Sequence, residues 1–143
     1  MSVELPFAPV DGIIRRHAGD LRVSAGAAEE LARRIQRHGA ALAVDAAAIA
    51  DADGRKTLMA EDFGVESVPD GGDVDLPVAP VDRIARLDVD DRFRVSKDAR
   101  VALADVLEAY AAEAAEGATL LAEHAGRRTV QAEDVQAYFE LVE

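Results

Sequence analysis

Two arginines in this chain stand at the same spacing from an aspartate. Arg55 lies seven residues before Asp62, and Arg127 lies seven before Asp134. In each case the aspartate begins a stretch with helical character, so a guanidinium folding back across one short loop would meet its carboxylate. Two parallel N–H groups of a planar guanidinium match the two carboxylate oxygens, a fit that lysine lacks. Each pair therefore reads as a structural clamp on its loop. Residues for catalysis are not assembled in the same way. His17, His38 and His124 share no metal-ligand or triad spacing, no phosphate-cradling glycine loop is present, and the carboxylates are scattered as on a solvated surface. No enzymatic activity, metal or cofactor is expected.

The recurrence of the clamp reflects a recurrence of sequence. Gly54-Arg55-Lys56-Thr57-Leu58-Met59-Ala60-Glu61-Asp62 returns as Gly126-Arg127-Arg128-Thr129-Val130-Gln131-Ala132-Glu133-Asp134 at an offset of 72 residues. Arg22-Val23-Ser24 returns as Arg94-Val95-Ser96 at the same offset, and Leu5-Pro6-Phe7-Ala8-Pro9-Val10-Asp11 as Leu76-Pro77-Val78-Ala79-Pro80-Val81-Asp82 at 71. Three anchors in one order mean two copies of one unit. The change of offset places a single inserted residue between Leu87 and Phe93. Residues 1–65 form the first copy and 76–143 the second. Residues 66–75, with Pro69, Gly71-Gly72 and several acids, read as a flexible linker that can span about 30 Å.

A unit of that size buries only a marginal core alone, so the two copies are expected to fold together. Half of the residues are hydrophobic, but alanine dominates and tryptophan is absent, which suits close-packed helices better than a sheet. The fold class is all-α. With no cysteine, neither a disulfide framework nor a thiolate metal site is available. No apolar run approaches a membrane span and the start of the chain lacks a signal-peptide pattern, so a soluble, cytoplasmic protein is expected, with no membrane or small-molecule partner. The net charge of −12 argues against nucleic acid, because phosphate binding rests on Lys and Arg releasing counterions. Only Lys56 and Lys97 represent lysine, and such an acidic, lysine-poor composition resembles proteins of salt-loving organisms.

Three helices per copy would position the motifs. Prolines suit the start of a first short helix over residues 8–17, with Val10, Ile13 and Ile14 on its apolar side. Arg22-Val23 is too short for more than an extended loop. Ser24 is a good N-cap for one long helix reaching Asp51, whose stripe is Leu31, Ile35, His38, Leu42, Ala46 and Ile49. The second copy repeats it as Leu103, Leu107, Tyr110, Ala114, Ala118 and Leu121. Gly39 inside the first long helix suggests a close crossing there, whereas Gly117 meets no evident demand for small size. The last short helix breaks at Gly64 in the first copy and continues to the end of the chain in the second.

Short helix, Arg-Val-Ser loop, long helix, Gly-Arg-Lys/Arg-Thr loop, short helix: this order resembles the histone fold. The Leu-Pro-x-Ala-Pro opening, the Arg-Val-Ser motif, His124-Ala125-Gly126-Arg127-Arg128-Thr129 and the Ala-Glu-Asp that follows resemble archaeal histones in particular. The acidic tandem arrangement is similar to the fused histones of halophilic archaea. The resemblance implies two histone folds paired head to tail on one chain as a handshake pseudo-dimer, with Arg22 beside Thr129 and Arg94 beside Thr57. It implies double-stranded DNA as partner. Arg22 and Arg94 would enter the minor groove, held by Thr129 and Thr57, while Arg15, Arg83, Arg86, Lys56 and Arg128 would contact phosphates. The counterpart of Arg83 in the first copy is Gly12. Leu121, His124 and Asp134 match a junction that joins dimers end to end, and Ala52 stands where the first copy would need His124, so self-association is expected through the second copy.

The resemblance implies two functions. One is a histone-like protein that binds and bends duplex DNA with little sequence specificity, chromosome-associated, in chromatin organisation or transcriptional regulation. The other is a histone-fold protein–protein dimerisation module of a transcription complex with weak or no DNA binding. The acidic balance, the acidic last helix and Gly12 favour the second.

Overall fold

Proline sets the start of both short helices. In the computed structural model, which describes residues 2–143, Pro6 and Pro77 are the N-caps of α1 (Phe7–Ala18) and α3 (Val78–Arg86), and Pro9 and Pro80 lie in the first turns, where a missing N–H costs nothing. Between and after them come β1 (Arg22–Val23), α2 (Ala25–Ala52), β2 (Thr57–Leu58), β3 (Arg94–Val95), α4 (Lys97–His124), β4 (Thr129–Val130) and α5 (Ala132–Val142). The short–long–short helical order is that expected, and so is the early break of the first copy's last element at Gly64, although what precedes it is not an α-helix. In the first copy the last element is a 3-10 turn, Ala60–Phe63, ended by Gly64 at a φ of 76°.

The long helices begin on the serines expected to cap them. Ser24 Oγ accepts the Ala27 N–H and Ser96 Oγ the Ala99 N–H, each at 3.1 Å. Each helix has 28 residues, a length of about 42 Å at 1.5 Å per residue. Both end the same way. Gly54 and Gly126 share a φ of 74°, and the arginine that follows donates its backbone N–H to Ala50 or Ala122 in a left-handed C-terminal cap. The repeated Gly-Arg is thus the stop signal of a helix and the hinge of the loop that carries the clamp.

Val10, Ile13 and Ile14 of α1 are buried, as are Val81 and Ile84 of α3. The helix α3 ends three residues before the position equivalent to the end of α1, and the inserted residue falls in the loop that follows. That loop closes on Phe93, which is buried. Leu31, Ile35 and Ala46 of α2 and Leu103, Leu107, Ala114 and Ala118 of α4 are buried as the stripe requires, and each buried leucine or isoleucine contributes roughly 1.5–3 kcal/mol. Leu42 and Leu121 are half-buried. Ile49 departs from the expectation, with 51% of its surface exposed, because the first copy has no third helix to cover that part of α2.

Both interior glycines answer to close contacts. A Cβ on Gly39 would lie 2.9 Å from Ile84 Cγ2 and from Leu107 Cδ1, so α3 and α4 come within touching distance of the α2 backbone there. Gly117, which showed no reason to be small, lies against the ring of Tyr138 from α5. The sequence signal for it was a tyrosine 21 residues downstream on another helix, which periodicity within α4 cannot reveal.

The chain divides into two compact units, and neither is a sequence copy. One comprises the described part of Met1–Leu5 with Gln36–Glu108; the other comprises Pro6–Ile35 with Ala109–Glu143. Each draws on both copies. In the first unit β2 pairs with β3, in parallel, with Thr57 opposite Arg94; in the second β1 pairs with β4, with Arg22 opposite Thr129. The loop Arg22-Val23, expected to be merely extended, is a strand because it has this partner. Reciprocal pairing of one copy's first loop with the other's second is the handshake of a histone-fold pseudo-dimer. Within the first unit the linker is not featureless: Gly71–Asp73 form a 3-10 turn near Val101, and Glu108 Oε2 accepts the Asp75 N–H at 2.7 Å.

Candidate nucleic-acid interface

In the second unit, Arg22 donates its backbone N–H to the Arg128 carbonyl at 2.8 Å and Ser24 donates to Val130 at 3.0 Å. In the first, Arg94 donates to Lys56 at 2.8 Å and Ser96 to Leu58 at 3.1 Å. These bonds fix the two loops of each unit in one register. The apolar member of each pair turns inward, leaving Val23, Leu58, Val95 and Val130 buried. By strand alternation Arg22 and Arg94 then face solvent, and both are exposed. Among the described residues no carboxylate pairs with Arg22, Arg94 or Arg128.

The other candidate cations are already partnered. Arg15 Nε lies 2.6 Å from Asp11, Arg86 Nε 3.1 Å from Asp82, Arg83 Nε 2.9 Å from Glu4, and Lys56 Nζ pairs with Asp51. Lys56 also lies 5.1 Å from the centre of the Phe93 ring. All these cations are exposed, so each pair is worth little to stability and can be exchanged for another anion. Lys56 and an Arg92 that the spacing did not single out hold Asp51 below the ordinary carboxylate range, with the Lys56 hydrogen bond the larger cause. Arg92 itself is two-thirds exposed and bonded to Asp90 at 3.0 Å. The signal that could have found it is the one-residue insertion between Leu87 and Phe93, which places an extra cation next to Arg94.

The aspartates of the two clamps sit under their arginines. Arg55 Nη1 and Nη2 donate to the two oxygens of Asp62 at 2.9 and 2.8 Å, and Asp62 Oδ2 also accepts the Met59 N–H at 2.8 Å. Arg127 pairs with Asp134, whose Oδ2 accepts the Gln131 N–H at 2.8 Å. Both aspartates are buried. The hydrogen bond from Arg55 holds the Asp62 carboxyl below its usual range against the opposing effect of burial, and Met59 adds to it. Asp62 in turn pushes Arg55 further up. Each clamp ties a loop that carries a threonine, Thr57 or Thr129, to the element that follows it.

Of the three residues matched to an end-to-end junction, His124 is exposed at the end of α4, Leu121 is half-buried, and Asp134 is 2% exposed with its oxygens engaged within its own chain. A groove beside the 3-10 turn is lined by Met59, Val65, Val68, Ser96 and Lys97. Among the described residues no cluster of His, Asp and Glu could hold a metal ion, and no helix is long and apolar enough to cross a membrane.

Two short–long–short helical folds joined through reciprocal loop pairs define the class: a histone-fold protein with both partners on one chain. The comparisons agree. The sequence model of the family described as "Histone-like transcription factor (CBF/NF-Y) and archaeal histone" matches twice, at residues 3–64 and 74–137. One of the subunits of the archaeal histone HAN1 of Thermococcus zilligii is 53% identical over 62 residues, covering 43% of this chain and 90% of that protein. The crystal structure of the histone from Methanopyrus kandleri superposes with a TM-score of 0.69 at 30% identity, covering 94% of this chain and 92% of that one. A solved protein of Thermus thermophilus shares the fold at 17% identity, with a TM-score of 0.72 and 97% of each chain covered. The chain belongs to the archaeal histone and histone-like transcription factor family. The family is one of histones and histone-like transcription factors, not of enzymes.

Proposed function

We propose that this protein binds and bends duplex DNA with little sequence specificity, in chromatin organisation or transcriptional regulation. The observation that carries the reading is the register of the loop pairs, which sets exposed Arg22 opposite Thr129 and exposed Arg94 opposite Thr57, both arginines without a carboxylate partner among the described residues. In this reading Arg22 and Arg94 enter the minor groove, and the threonine hydroxyls hold them there. Such contacts sense groove width and backbone, so specificity comes from the ease of deforming the DNA. Arg128 contacts a phosphate directly. Arg15, Arg83, Arg86 and Lys56 do so by exchanging Asp11, Glu4, Asp82 and Asp51 for phosphate oxygens. That exchange releases few counterions, which fits a protein working in concentrated salt, as a halophilic origin of the tandem chain would require.

Self-association would run through the second copy, with Leu121 and His124 as the accessible residues and Asp134 contributing only if its clamp with Arg127 opens. The site of action in this reading is the chromosome, within the cytoplasm. The alternative, a dimerisation module of a transcription complex, is favoured by one observation: four of the candidate phosphate contacts are already neutralised by carboxylates. Ring closure of short duplexes of unrelated sequence distinguishes the two. Comparable affinity across sequences and accelerated closure support the DNA-bending reading, and no binding at any salt by the folded protein overturns it in favour of the module.

A further inference from the structure

The two loop pairs share a geometry and differ in charge. Arg22 donates to Arg128 and Arg94 to Lys56 at the same 2.8 Å, and each arginine stands opposite a threonine. The stretches around them hold equal numbers of basic residues, five in residues 15–24 and 123–134 of the second unit and five in residues 86–96 and 51–62 of the first. Acids number four in the second unit's stretches and seven in the first's. Most of the excess lies in the loop with the inserted residue, where Asp88, Asp90 and Asp91, all exposed, precede Arg94, whereas Asp20 alone precedes Arg22. The cations are engaged differently as well. Lys56 is paired with Asp51 and Arg92 with Asp90, but Arg128, at the place of Lys56, has no carboxylate partner among the described residues.

We propose that the loop pair of the second unit, Arg22 with Arg128 and Thr129, is the primary grip on duplex DNA, and that the loop pair of the first unit, Arg94 with Lys56 and Thr57, grips comparably only when salt screens Asp88 and Asp91. The inference rests on the DNA-binding reading and adds to it a rank order and a regulation by ionic strength. An arginine that enters a groove brings its neighbours close to the phosphates on either side. Asp91 is three residues before Arg94, at most about 10 Å along an extended chain, and Asp88 is six before it, at most about 20 Å. The screening length is about 10 Å at 0.1 M salt, so these exposed carboxylates repel the phosphates that Arg94 approaches. At 1 M it is about 3 Å, and the repulsion is lost while the contacts of the inserted arginine remain. Asp90 contributes less, because Arg92 offsets it at 3.0 Å. Lys56 must leave Asp51 to reach a phosphate, a step that Arg128 does not face.

The test measures duplex-DNA affinity of the full chain and of the single variants Arg22→Ala and Arg94→Ala, by fluorescence anisotropy at 0.1 M and at molar salt. At 0.1 M the loss from Arg22→Ala is expected to exceed that from Arg94→Ala at least fivefold, and in molar salt the two losses should agree within twofold. Asp88→Asn with Asp91→Asn should raise affinity at least threefold at 0.1 M and leave it unchanged in molar salt. In that background the loss from Arg94→Ala at 0.1 M should rise to within twofold of the loss from Arg22→Ala. Asp45→Asn with Asp105→Asn makes the same change of net charge at exposed positions inside the long helices, and should raise affinity less than half as much. Equal losses from the two arginine variants at 0.1 M, a larger loss from Arg94→Ala, or equal gains from the two asparagine pairs, in proteins of unchanged circular dichroism, would overturn the proposal and leave DNA binding standing. A folded wild-type protein that binds no DNA at either salt would overturn both.

Discussion

Tyr138 of α5 lies with its ring against the α-carbon of Gly117 in α4, in the space that any larger residue at 117 would need. The ring also makes an edge-on contact with that of Phe139, 5.1 Å between centres. Gly117→Ala should gain up to about 1 kcal/mol of helix propensity and lose about 1–3 kcal/mol to overpacking, a net destabilisation. In a Tyr138→Ala background the same substitution should become stabilising. Urea denaturation of the four proteins of this double-mutant cycle reads the reversal of sign directly.

Gly39 calls for the same comparison with a smaller effect. The atoms in the way are Leu107 Cδ1, a side-chain end that can give, and Ile84 Cγ2, a branch at Cβ of a buried residue that cannot give so easily, both at 2.9 Å. Gly39→Ala should therefore be mildly destabilising, while Gly39→Val should cost about 1–3 kcal/mol. Thermal denaturation of the two variants distinguishes a tight crossing from an incidental glycine.

Acid should loosen the Arg55–Asp62 clamp in a defined direction. The folded-state pKa of Asp62 is depressed, chiefly by Arg55, so its stabilisation is present above the ordinary aspartate pKa of about 4 and is lost as pH falls through the depressed value. Asp62→Asn should lower the melting temperature at pH 7, and the gap from wild type should close progressively below pH 4. Arg55→Lys keeps the charge but loses the fork, and should fall between the two.

Glu108 should act in the opposite direction. At the equivalent position of the first copy Gln36 accepts the Glu4 N–H at 2.7 Å and donates to the Ser2 carbonyl at 3.0 Å, a pair of bonds an ionised carboxylate cannot make. Burial raises the Glu108 pKa, with the neighbouring Asp75 carboxyl adding to the rise against the Asp75 and Leu76 N–H groups. A raised folded pKa means stability that is full below the ordinary glutamate pKa and lost as pH rises through the raised one. Glu108→Gln should thus be indistinguishable from wild type at low pH and more stable by about 1 kcal/mol, one net hydrogen bond, at pH 7. Parallel denaturation curves at pH 4 and pH 7 check both the sign and its pH dependence.

The elements were legible in the sequence wherever a local rule decides them. Ser24 and Ser96 cap, Gly54 and Gly126 stop the long helices, Pro6 and Pro77 start the short ones, and the repeated anchors carried the loop register through the resemblance they support. What was not legible depended on a partner distant in sequence. Ile49 fits the stripe, yet it is exposed because the helix that would cover it is missing from its own copy. Gly117 is explained only by Tyr138. The candidate cations were visible as residue types, and Asp11 and Asp82, four residues before Arg15 and Arg86 on the same helices, were within reach of the i,i+4 rule as their partners. Glu4 came to light only with the fold, since it is 79 residues from Arg83 in the chain.

The measurement that bears most directly on DNA binding compares two double variants at molar salt, where counterion release contributes little. Arg22→Ala with Arg94→Ala removes the two unpaired arginines of the loop pairs. Arg15→Ala with Arg86→Ala removes two cations already bonded to Asp11 and Asp82. For duplex DNA measured by fluorescence anisotropy, we expect the first to lose at least tenfold in affinity and the second no more than about threefold, with both folds intact, tenfold being about 1.4 kcal/mol. Equal losses in the two variants, or an unchanged affinity in the first, would contradict the assignment of Arg22 and Arg94 as the residues that carry binding.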